Sequence, residues 1–325
     1  MISIALITYN GGKYIREQLD SILNQTIQDF EVVICDDCST DSTVSILCEY
    51  AQQDKRIKIH RNAENAGFLR NIEKAIKLCK GEFIALSDQD DIWEKEHLQV
   101  LHSNIGENFL VCADALLVDK ENNSLEVRFS RLYHGMNVAV LNNSEHFLRL
   151  LVMPGVFYGA AMMLSRKFAD MVLPLSKEVK FHDLWFALCA MALEKFSYVP
   201  TVVIRHRRHA TNASPLKFEK DAPLAYRLKY VSPLEKLPNL SENSKQIIKQ
   251  SRDFFSNKKR LSTRYKALFF WIKNYKVLYA TNSKNRFLIR LWKIFFHKQL
   301  FITLPSKIKN KLRNGQQVVI KEELK

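Results

Sequence analysis

The first ninety residues alternate apolar segments of strand length with segments whose apolar side chains recur at helical spacing. The strand-like segments are residues 2–7, 30–35, 57–60 and 83–86. In the stretches between them, apolar side chains recur at intervals of three and four residues. Strands and helices that alternate in this way form βαβ units, which connect parallel strands. The sequence therefore predicts an α/β fold with a mostly parallel, Rossmann-like sheet flanked by helices.

An acidic segment follows the fourth predicted strand directly. Residues 87–93 read Ser-Asp-Gln-Asp-Asp-Ile-Trp, so that Asp88, Asp90 and Asp91 emerge together at the carboxyl end of a buried strand. Open α/β sheets bind ligands at that edge. Three crowded carboxylates repel one another unless cations compensate them, and divalent cations that also bind phosphates are a common solution. The alternative is an acidic turn that is only solvated.

Polar residues also follow the first two predicted strands. Thr8, Tyr9 and Asn10 come after the first strand, and Asp36 and Asp37 end the second. Because the carboxyl ends of parallel strands share one edge, these residues and the acidic segment are expected to form one nucleotide pocket. No GxGxxG or GxxxxGK[ST] motif follows a strand, which disfavours dinucleotide and P-loop chemistry.

The basic residues are concentrated at the carboxyl end of the chain. Of 49 Lys and Arg and 34 Asp and Glu, residues 215–325 contain 26 and 7, so that this segment carries +19 and residues 1–214 carry −4. Such a charge predicts an anionic partner, either a nucleic acid or a membrane surface. The six cysteines lack paired zinc spacing and are expected to be reduced cytoplasmic thiols. No secretory signal pattern precedes the first strand.

Beyond residue 93 the pattern is weaker. It predicts a helix over residues 98–105, strands at 110–113 and 116–118, an irregular stretch at 120–145, a helix at 184–196 and a strand at 198–204. Small and apolar residues at 155–164 suit close packing against a pocket or ordinary core packing. The last strand leads into Arg205-His206-Arg207-Arg208-His209, a cluster suited to phosphates.

Six motifs in order give residues 1–214 a recognisable family pattern. They are Thr8-Tyr9-Asn10, residues 36–41, Asn65-Ala66-Gly67 with Arg70-Asn71, residues 87–93, His182-Asp183-Leu184-Trp185, and Arg207-Arg208-His209 with Asn212. Together they resemble the family 2 glycosyltransferases, inverting enzymes of the GT-A fold. Among these, the chain is similar to the rhamnosyltransferase-like members of bacterial surface-polysaccharide synthesis.

The resemblance implies a nucleoside diphosphate sugar as donor, with dTDP-rhamnose favoured and UDP-sugars next. It implies Mn²⁺ or Mg²⁺ held by Asp90 and His209, although a lone histidine can also be purely structural. Asp88 would contact the ribose or share the metal site. A divalent cation would act there as a Lewis acid on the diphosphate.

The resemblance also implies a set of residues on the nucleotide side of the pocket. Arg70 would bind the pyrophosphate or orient Asp88, and the alternative is an ion pair on the helix surface. Either Asp36 or Asp37 would accept a hydrogen bond from the base. Lining the nucleotide pocket would be Thr8, Tyr9 and Asn10.

For the acceptor side, the resemblance implies that Asp183 is the general base that takes the proton from the attacking hydroxyl. A helix N-terminus would help to keep this carboxylate ionised. The alternative is that Asp183 only caps a helix. His182 and Trp185 would bind the acceptor, and for both the alternative is a structural position.

The carboxyl-terminal region, residues 215–325, is predicted to be a basic, mainly helical extension. Arg286, Arg290, Lys293 and His297 form a basic stripe beside aromatic residues, which favours an anionic membrane surface over a spanning helix. The alternatives are a helix packed on the catalytic domain, a dimer contact or a nucleic-acid-binding tail. The predicted organisation is a nucleotide-sugar-binding half at 1–119, an acceptor half at 120–214, and this extension.

The sequence therefore predicts a cytoplasmic enzyme that lies at the inner face of the plasma membrane. It would transfer a sugar to a hydroxyl of a growing, lipid-linked glycan, without binding nucleic acid. Two other functions remain open, a nucleotidyltransferase that makes an activated sugar and a non-catalytic nucleic-acid-binding protein.

Overall fold

A computed structural model of the chain describes residues 1–130, 147, 150–151, 157–209 and 224–256. The chain divides into two compact units, Met1–Ile248 and Lys249–Lys325. The predicted domain boundaries at 119 and 214 stay predictions, and the second lies outside the described residues. The basic stripe at residues 286–297 also lies outside them. Within the described residues, no helix is long and apolar enough to cross a membrane.

The first half of the main unit is built from βαβ units, as the sequence predicts. Its strands are parallel and lie in the order β3-β2-β1-β4. β1 and β2 are buried at every position, as expected for strands with both faces covered. The elements in chain order are β1 (Ile2–Thr8), α1 (Ile15–Leu23), β2 (Phe30–Asp36), α2 (Thr43–Gln53), β3 (Ile57–Arg61), α3 (Phe68–Leu78) and β4 (Phe83–Ser87).

The second half continues the same sheet with mixed strand directions. In the described residues the order runs on as β4-β8-β6-β9-β5, with β7 beside β6. β8 is antiparallel to both its neighbours, whereas β6 and β9 are parallel. The elements are β5 (Ile92–Trp93), α4 (His97–Ile105), β6 (Leu110–Val118), β7 (Ser124–Arg128), a 3₁₀ turn (Gly159–Ala161), β8 (Met162–Ser165), α5 (Arg166–Val172), α6 (His182–Ala192), β9 (Phe196–Arg207), α7 (Leu224–Leu234) and α8 (Glu242–Ser256).

Several predicted boundaries in this half are wrong. The two strands predicted at 110–113 and 116–118 are one strand, because a bulge at Asp114 lets β6 continue past the polar residue. The segment predicted to be irregular contains β7. The helix predicted at 184–196 begins earlier, at His182, and ends at Ala192, because Phe196 already pairs in β9. β5 and α5 were not predicted.

The core lies between the sheet and its helices. α1 contributes Ile15, Leu19 and Ile22, which are fully buried and spaced by four and three residues. Gln18 and Ser21, which lie beside this apolar face, form hydrogen bonds with the segment after β4. The apolar face of this helix therefore fixes the position of its polar face, which is the side that matters for function.

Candidate active site

The carboxyl ends of β1, β2 and β4 meet at one edge of the sheet. β1 lies between the other two strands, with Thr8 opposite Asp36. The Thr8 hydroxyl donates to Asp36 Oδ1 at 3.0 Å. The Gln89 side chain accepts a hydrogen bond from the Tyr9 amide at 2.8 Å and donates to the Tyr9 carbonyl at 3.0 Å. The predicted convergence of the three polar motifs is confirmed.

Asp91 is the structural member of the acidic segment. Its carboxylate is fully buried, and the Tyr158 hydroxyl donates to its Oδ2 atom. On the other side, Asp91 Oδ1 lies 2.9 Å from His206 Nδ1 and accepts the backbone amide of Arg207 at 3.2 Å. These contacts tie the acidic segment to the 3₁₀ turn region and to the end of β9. Asp91, which had no predicted role, is therefore an anchor that fixes the position of the acidic segment.

Asp88 and Asp90 lie in an environment that disfavours two negative charges. Burial, then the carboxylates of Asp91 and Asp90, raises the pKa of Asp88 well above its usual range. Burial and the Asp91 carboxylate also raise the pKa of Asp90, against the opposing effect of His209. A cation bound between them would reverse both effects, because an opposite charge favours the ionised form. A cation at this position would therefore favour the ionised form of both carboxylates.

Asp90 and His209, the two predicted metal ligands, lie side by side. His209 Nε2 is 2.8 Å from Asp90 Oδ2, and both side chains are largely buried, with 9% and 15% exposed. The His209 ring stacks on Tyr14 with centroids 4.8 Å apart and planes inclined by 26°. This stacking sets the direction of the imidazole, so that its Nε2 atom points at the acidic segment.

These residues suit a divalent cation that the substrate helps to bind. Among the described residues there is no group of three or more His, Cys, Asp or Glu side chains arranged around a metal position. Mg²⁺ and similar ions are commonly held by one or two carboxylates together with substrate phosphates and water. The raised pKa values of Asp88 and Asp90 and the nearby imidazole of His209 agree with that pattern.

Asp36 and Asp37 are both engaged in contacts within the chain. Asp36 accepts the Thr8 hydroxyl and the Ser39 amide, the latter at 2.9 Å. Asp37 accepts the amides of Ala66 and Gly67 at 2.8 and 2.9 Å. Both carboxylates are at least 97% buried. Their predicted role toward the base stays a prediction, and in this structure they shape the loops beside the pocket.

Asn10 and Arg70 also contact the chain itself. Asn10 Oδ1 accepts the backbone amide of Thr40 at 2.9 Å and so links the ends of β1 and β2. Arg70 donates to Glu73 at 2.6 Å and to the Leu175 carbonyl at 3.2 Å. The helix-surface ion pair weighed from the sequence is therefore present. The role of Arg70 toward pyrophosphate stays a prediction.

Asp183 lies in the first turn of α6. The residue at the capping position is Phe181, and Asp183 Oδ1 accepts the amide of the next residue, Leu184, at 2.7 Å. Burial raises the pKa of Asp183 to about 6. The backbone amides at the helix N-terminus lower this pKa, but desolvation has the larger effect, so that the net shift is upward. At neutral pH the group remains mostly ionised, and a base with a pKa near the working pH is well suited to proton transfer.

Asp183 lies within electrostatic range of Asp88, and Gly159 approaches the start of α6 closely. The charge of Asp183 contributes to the raised pKa of Asp88, which places the two carboxylates near each other. A Cβ atom added at Gly159 would lie 2.7 Å from His182 Nε2 and 3.5 Å from Asp183 Cβ. His182 is 6% exposed, and burial lowers its pKa to about 4, so that its ring is neutral.

Trp185 occupies the core position that the sequence left open as an alternative. Its side chain is 4% exposed, and its indole Nε1 donates to the Val172 carbonyl at 3.3 Å. It lies at the wall of a cavity of about 590 Å³ that is otherwise lined by residues 171–178 and by α7 and the residues after it. Nothing in these contacts supports the predicted stacking of an acceptor sugar on Trp185.

The arginine cluster lies at the end of β9, and its predicted role toward phosphates stays a prediction. Arg205 pairs with Glu94 at 2.8 Å, and Arg207 pairs with Glu17 at 2.7 Å. Arg208 Nη1 lies 3.1 Å from His206 Nε2. Two of the three predicted phosphate ligands are thus bound to carboxylates.

Four further residues that build this site had no role in the sequence analysis. Tyr158 has an uninformative sequence context, since it lies among small apolar residues. Gln89 lies inside the acidic motif, and its two bonds to Tyr9 depend on the register of β1 and β4. Glu17 and Tyr14 lie near the start of α1, where polar residues on a helix are ordinary. Only the packing of the chain brings these side chains to the site.

The comparisons with known proteins assign the family. A model of glycosyl transferase family 2 matches residues 3–171, which is just over half of the chain. The chain belongs to glycosyltransferase family 2. The family pattern predicted from the motifs is thereby confirmed at this level, and the match covers both β1 and the acidic segment.

Curated relatives share shorter stretches. The chain is 33% identical over 125 residues to an uncharacterised glycosyltransferase of Haemophilus influenzae, covering 37% of this chain and 39% of the relative. It is 33% identical over 107 residues to glycosyltransferase GlyG of Streptococcus pneumoniae, covering 33% and 36%. Chondroitin synthase of Escherichia coli is 39% identical over 100 residues, which is 31% of this chain and 14% of that protein. The chain thus spans well under half the length of these relatives.

Solved structures confirm the fold. S. aureus TarS 1–349 in complex with UDP-GlcNAc aligns with a TM-score of 0.55 at 18% identity, covering 97% of this chain and 87% of that chain. The mannosyltransferase PcManGT of Pyrobaculum calidifontis, in complex with GDP-Man and Mn²⁺, aligns with a TM-score of 0.52 at 17% identity, covering 97% and 85%. The mixed α/β sheet flanked by helices is therefore GT-A-like.

Proposed function

We propose that this family 2 glycosyltransferase transfers a sugar, with inversion, from a nucleoside diphosphate donor to a hydroxyl of a growing, lipid-linked bacterial cell-surface glycan. The observation that carries the proposal is the partly buried Asp183 carboxylate in the first turn of α6, with its pKa of about 6 and within electrostatic range of Asp88. A single base opposite a diphosphate site is the arrangement that inverting transfer requires.

The donor would lie along the edge formed by β1, β2 and β4. Thr8, Tyr9 and Asn10 follow β1 and would contact the nucleoside, and Asp88 would contact the ribose or the cation. Mn²⁺ or Mg²⁺ held by Asp90 and His209 would neutralise the charge that develops on the diphosphate leaving group. TarS and PcManGT were solved with UDP-GlcNAc and with GDP-Man and Mn²⁺ respectively, which supports a nucleotide-sugar donor. For this chain we propose dTDP-rhamnose first and UDP-sugars next.

Asp183 would then accept the proton of the acceptor hydroxyl as its oxygen attacks the anomeric carbon. Attack on the face opposite the diphosphate inverts the configuration at that carbon. Asp183 is partly buried, and its pKa of about 6 leaves its carboxylate mostly ionised at neutral pH. Neutral His182, which precedes Asp183 and is packed under Gly159, would keep the start of α6 in place.

We also propose that the enzyme works at the cytoplasmic face of the plasma membrane as a peripheral protein. The charge of +19 in residues 215–325 supports this location, because anionic lipid headgroups attract basic segments. A lipid-linked acceptor would be presented at the same surface. The location and the acceptor both rest on the sequence of the region beyond the described residues.

A donor screen tests the proposal. Thermal unfolding is measured with dTDP-rhamnose, UDP-glucose, UDP-GlcNAc, UDP-galactose and GDP-mannose, each with and without Mn²⁺. A ligand that binds only the folded state raises the melting temperature, so we expect one donor class to act, and to act more strongly with Mn²⁺. Absence of any response to all five donors would contradict the proposed function. Donor hydrolysis or sugar transfer that survives in both Asp90→Asn and Asp183→Asn would contradict the proposed mechanism.

A further inference from the structure

The polar face of α1 holds the acidic segment at both of its ends. Gln18 donates to the Ser87 hydroxyl at 3.1 Å, just before the first carboxylate. The Ser21 hydroxyl accepts the backbone amide of Trp93 at 3.0 Å, just after the last. Between these ends, Gln89 binds Tyr9 and Asp91 binds Tyr158 and His206, and the backbone of Asp90 receives further support from the end of β9.

Arg207 supplies that support. Its side chain is 2% exposed, its Nε atom donates to the Asp90 carbonyl at 3.1 Å, and its Nη1 atom donates to the Lys120 carbonyl at 2.9 Å. The guanidinium also lies over the Tyr14 ring, 4.9 Å from the centroid. Tyr14 in turn stacks on His209. One buried cation therefore contacts the backbone of one predicted metal ligand and the ring that orients the other.

Glu17 binds this cation from α1. Its Oε2 atom lies 2.7 Å from Arg207 Nη2, and the Glu17 side chain is 53% exposed. A charge-assisted hydrogen bond of this length fixes the direction of the planar guanidinium. Tyr14 directly precedes α1, and Glu17 lies within the first turn of that helix. The Tyr14 ring contacts the face of the Arg207 guanidinium, and the Glu17 carboxylate contacts its edge.

We propose that Glu17 is a positioning residue for the diphosphate end of the site, which acts through Arg207 and Tyr14 to hold Asp90 and His209 together. The inference rests on the proposed function and adds a residue that does not touch the donor. Residues that orient metal ligands from outside commonly change metal affinity by about 10–100-fold when they are replaced. Glu17 is therefore expected to affect cation-dependent nucleotide binding more than folding.

The chain offers a matched control on the same helix. Arg16 pairs with Glu49 of α2 at 2.6 Å, and each of these side chains is 49% exposed. Glu49→Gln removes a carboxylate of similar exposure from an ion pair with α1, but none of its contacts leads to the acidic segment. Glu17→Gln keeps the side-chain length and removes only the charge. A difference between Glu17→Gln and Glu49→Gln in amide exchange or nucleotide binding therefore measures the effect that Glu17 has through Arg207.

The first measurement is hydrogen exchange in the ligand-free protein. The Arg207 and Arg208 amides donate to Asp91 and to the Val118 carbonyl. In Glu17→Gln we expect these two amides to exchange about fivefold faster or more, a change that corresponds to a modest local loss of stability. In Glu49→Gln they should exchange at the wild-type rate. Equal exchange in the two variants overturns the inference, and this result does not depend on what the enzyme transfers.

The second measurement is calorimetric binding of UDP and dTDP at fixed Mn²⁺. Glu17→Gln should bind the preferred nucleotide about tenfold more weakly than Glu49→Gln, with similar melting temperatures before ligand is added. In a His209→Ala background the additional effect of Glu17→Gln should be less than about twofold, because the two residues act on one site. Fully additive effects overturn the route through His209.

Two further outcomes separate this inference from the proposed function. If the wild type binds nucleotide and Glu17→Gln matches Glu49→Gln, only the role of Glu17 is wrong. If the wild type binds neither UDP nor dTDP with Mn²⁺ and also responds to none of the five donors, the proposed function fails and this inference fails with it. If Glu17→Gln has a much lower melting temperature than Glu49→Gln, Glu17→Asp is used in its place. Wild-type amide exchange and nucleotide binding in Glu17→Asp would support the inference, and their absence would overturn it.

Discussion

At the residue scale, similar side chains in the site have different roles, which depend on how deeply each one is buried. Asp91 is fully buried and binds Tyr158, His206 and the Arg207 amide, whereas Asp90 faces His209. Asp183 is separate from this group, and burial is the first cause of its raised pKa. Carboxylates with the same chemistry therefore serve as an anchor, a proposed ligand for a cation and a candidate base.

Replacement of the candidate base should abolish most of the transfer. We expect Asp183→Asn to lower kcat by about 10²–10⁴-fold, the usual contribution of general base catalysis, and to leave nucleotide binding with Mn²⁺ nearly unchanged. Steady-state rates and calorimetry check the two parts. Asp170→Asn removes an exposed carboxylate from α5 and should have no effect. A wild-type rate in Asp183→Asn would assign the base to another group.

The pH dependence of transfer should report the same residue. The Asp183 carboxylate must be ionised to accept a proton, and its pKa is raised to about 6. The value of kcat/KM should therefore reach a plateau above about pH 7 and decrease as the pH falls through 6. Well below the pKa it should decrease by about tenfold for each pH unit. An acidic limb near pH 4, the range of an ordinary aspartate, would show that Asp183 is not the group that titrates.

The anchor role of Asp91 should appear in stability. Asp91→Ala removes the nearer acceptor of the Tyr158 hydroxyl, which also reaches Asp88 at 3.3 Å, and the acceptor of the Arg207 amide. The free energy of unfolding should fall by about 1–3 kcal/mol for each buried group that loses its partner. Urea denaturation measures this change. Asp29→Ala, which removes an 80% exposed carboxylate near the N-terminus, should change it by less than about 0.5 kcal/mol.

At the element scale, the site lies where the connections that follow the strands lead into the first turns of the helices. α1 holds the segment after β4, Gly67 starts α3 with φ at 83° while Asp37 binds its amide, and the 3₁₀ turn packs against the start of α6. Each element thus contributes through its first turn or its polar face. The strands provide the common edge on which these pieces rest.

The contact between the 3₁₀ turn and α6 can be tested at Gly159. A methyl group there would lie 2.7 Å from His182 Nε2, and His182 cannot move freely because its ring contacts Phe68 and Phe186. We expect Gly159→Ala to shift the start of α6 and lower kcat by about tenfold or more, since small misplacements of reacting groups are costly. Ala160→Gly, which adds no atoms to the same turn, is the control. Equal rates in the two variants would contradict this packing.

At the scale of the whole molecule, the charge is strongly divided. Residues 1–214 carry −4 and residues 215–325 carry +19. The family match ends at residue 171, so that the basic region lies beyond it. We therefore expect the catalytic chemistry and the proposed membrane attachment to be separable by mutation.

Replacing Arg286, Arg290 and Lys293 together by Gln in the full chain should weaken binding to vesicles that contain anionic lipid. Each basic residue near such a surface contributes about 1 kcal/mol to binding. The partition coefficient measured by vesicle sedimentation should therefore fall by about tenfold or more. Replacing the exposed Lys55, Lys80 and Lys95 by Gln is the matched control. Vesicle binding that survives the first substitution, or binding to RNA in place of vesicles, would contradict the membrane proposal.

Local sequence pattern determined much of this protein. The alternation of strand and helix patterns fixed the parallel half of the sheet, because buried parallel strands and amphipathic helices both leave clear periodicities. The order of the chain then placed Thr8, Asp36 and Asp88 at one edge. The motifs sufficed to predict the family, which the match over residues 3–171 confirmed.

Tertiary structure decided what each side chain does at that edge. The bulge at Asp114, the burial of Trp185 and the pairing of Arg207 with Glu17 depend on contacts between residues far apart in the chain. The pKa of Asp183 is a further case, because helix position alone favours a low value and burial raises it. A sequence specifies which groups are present, but desolvation and hydrogen bonding depend on the neighbours that packing provides.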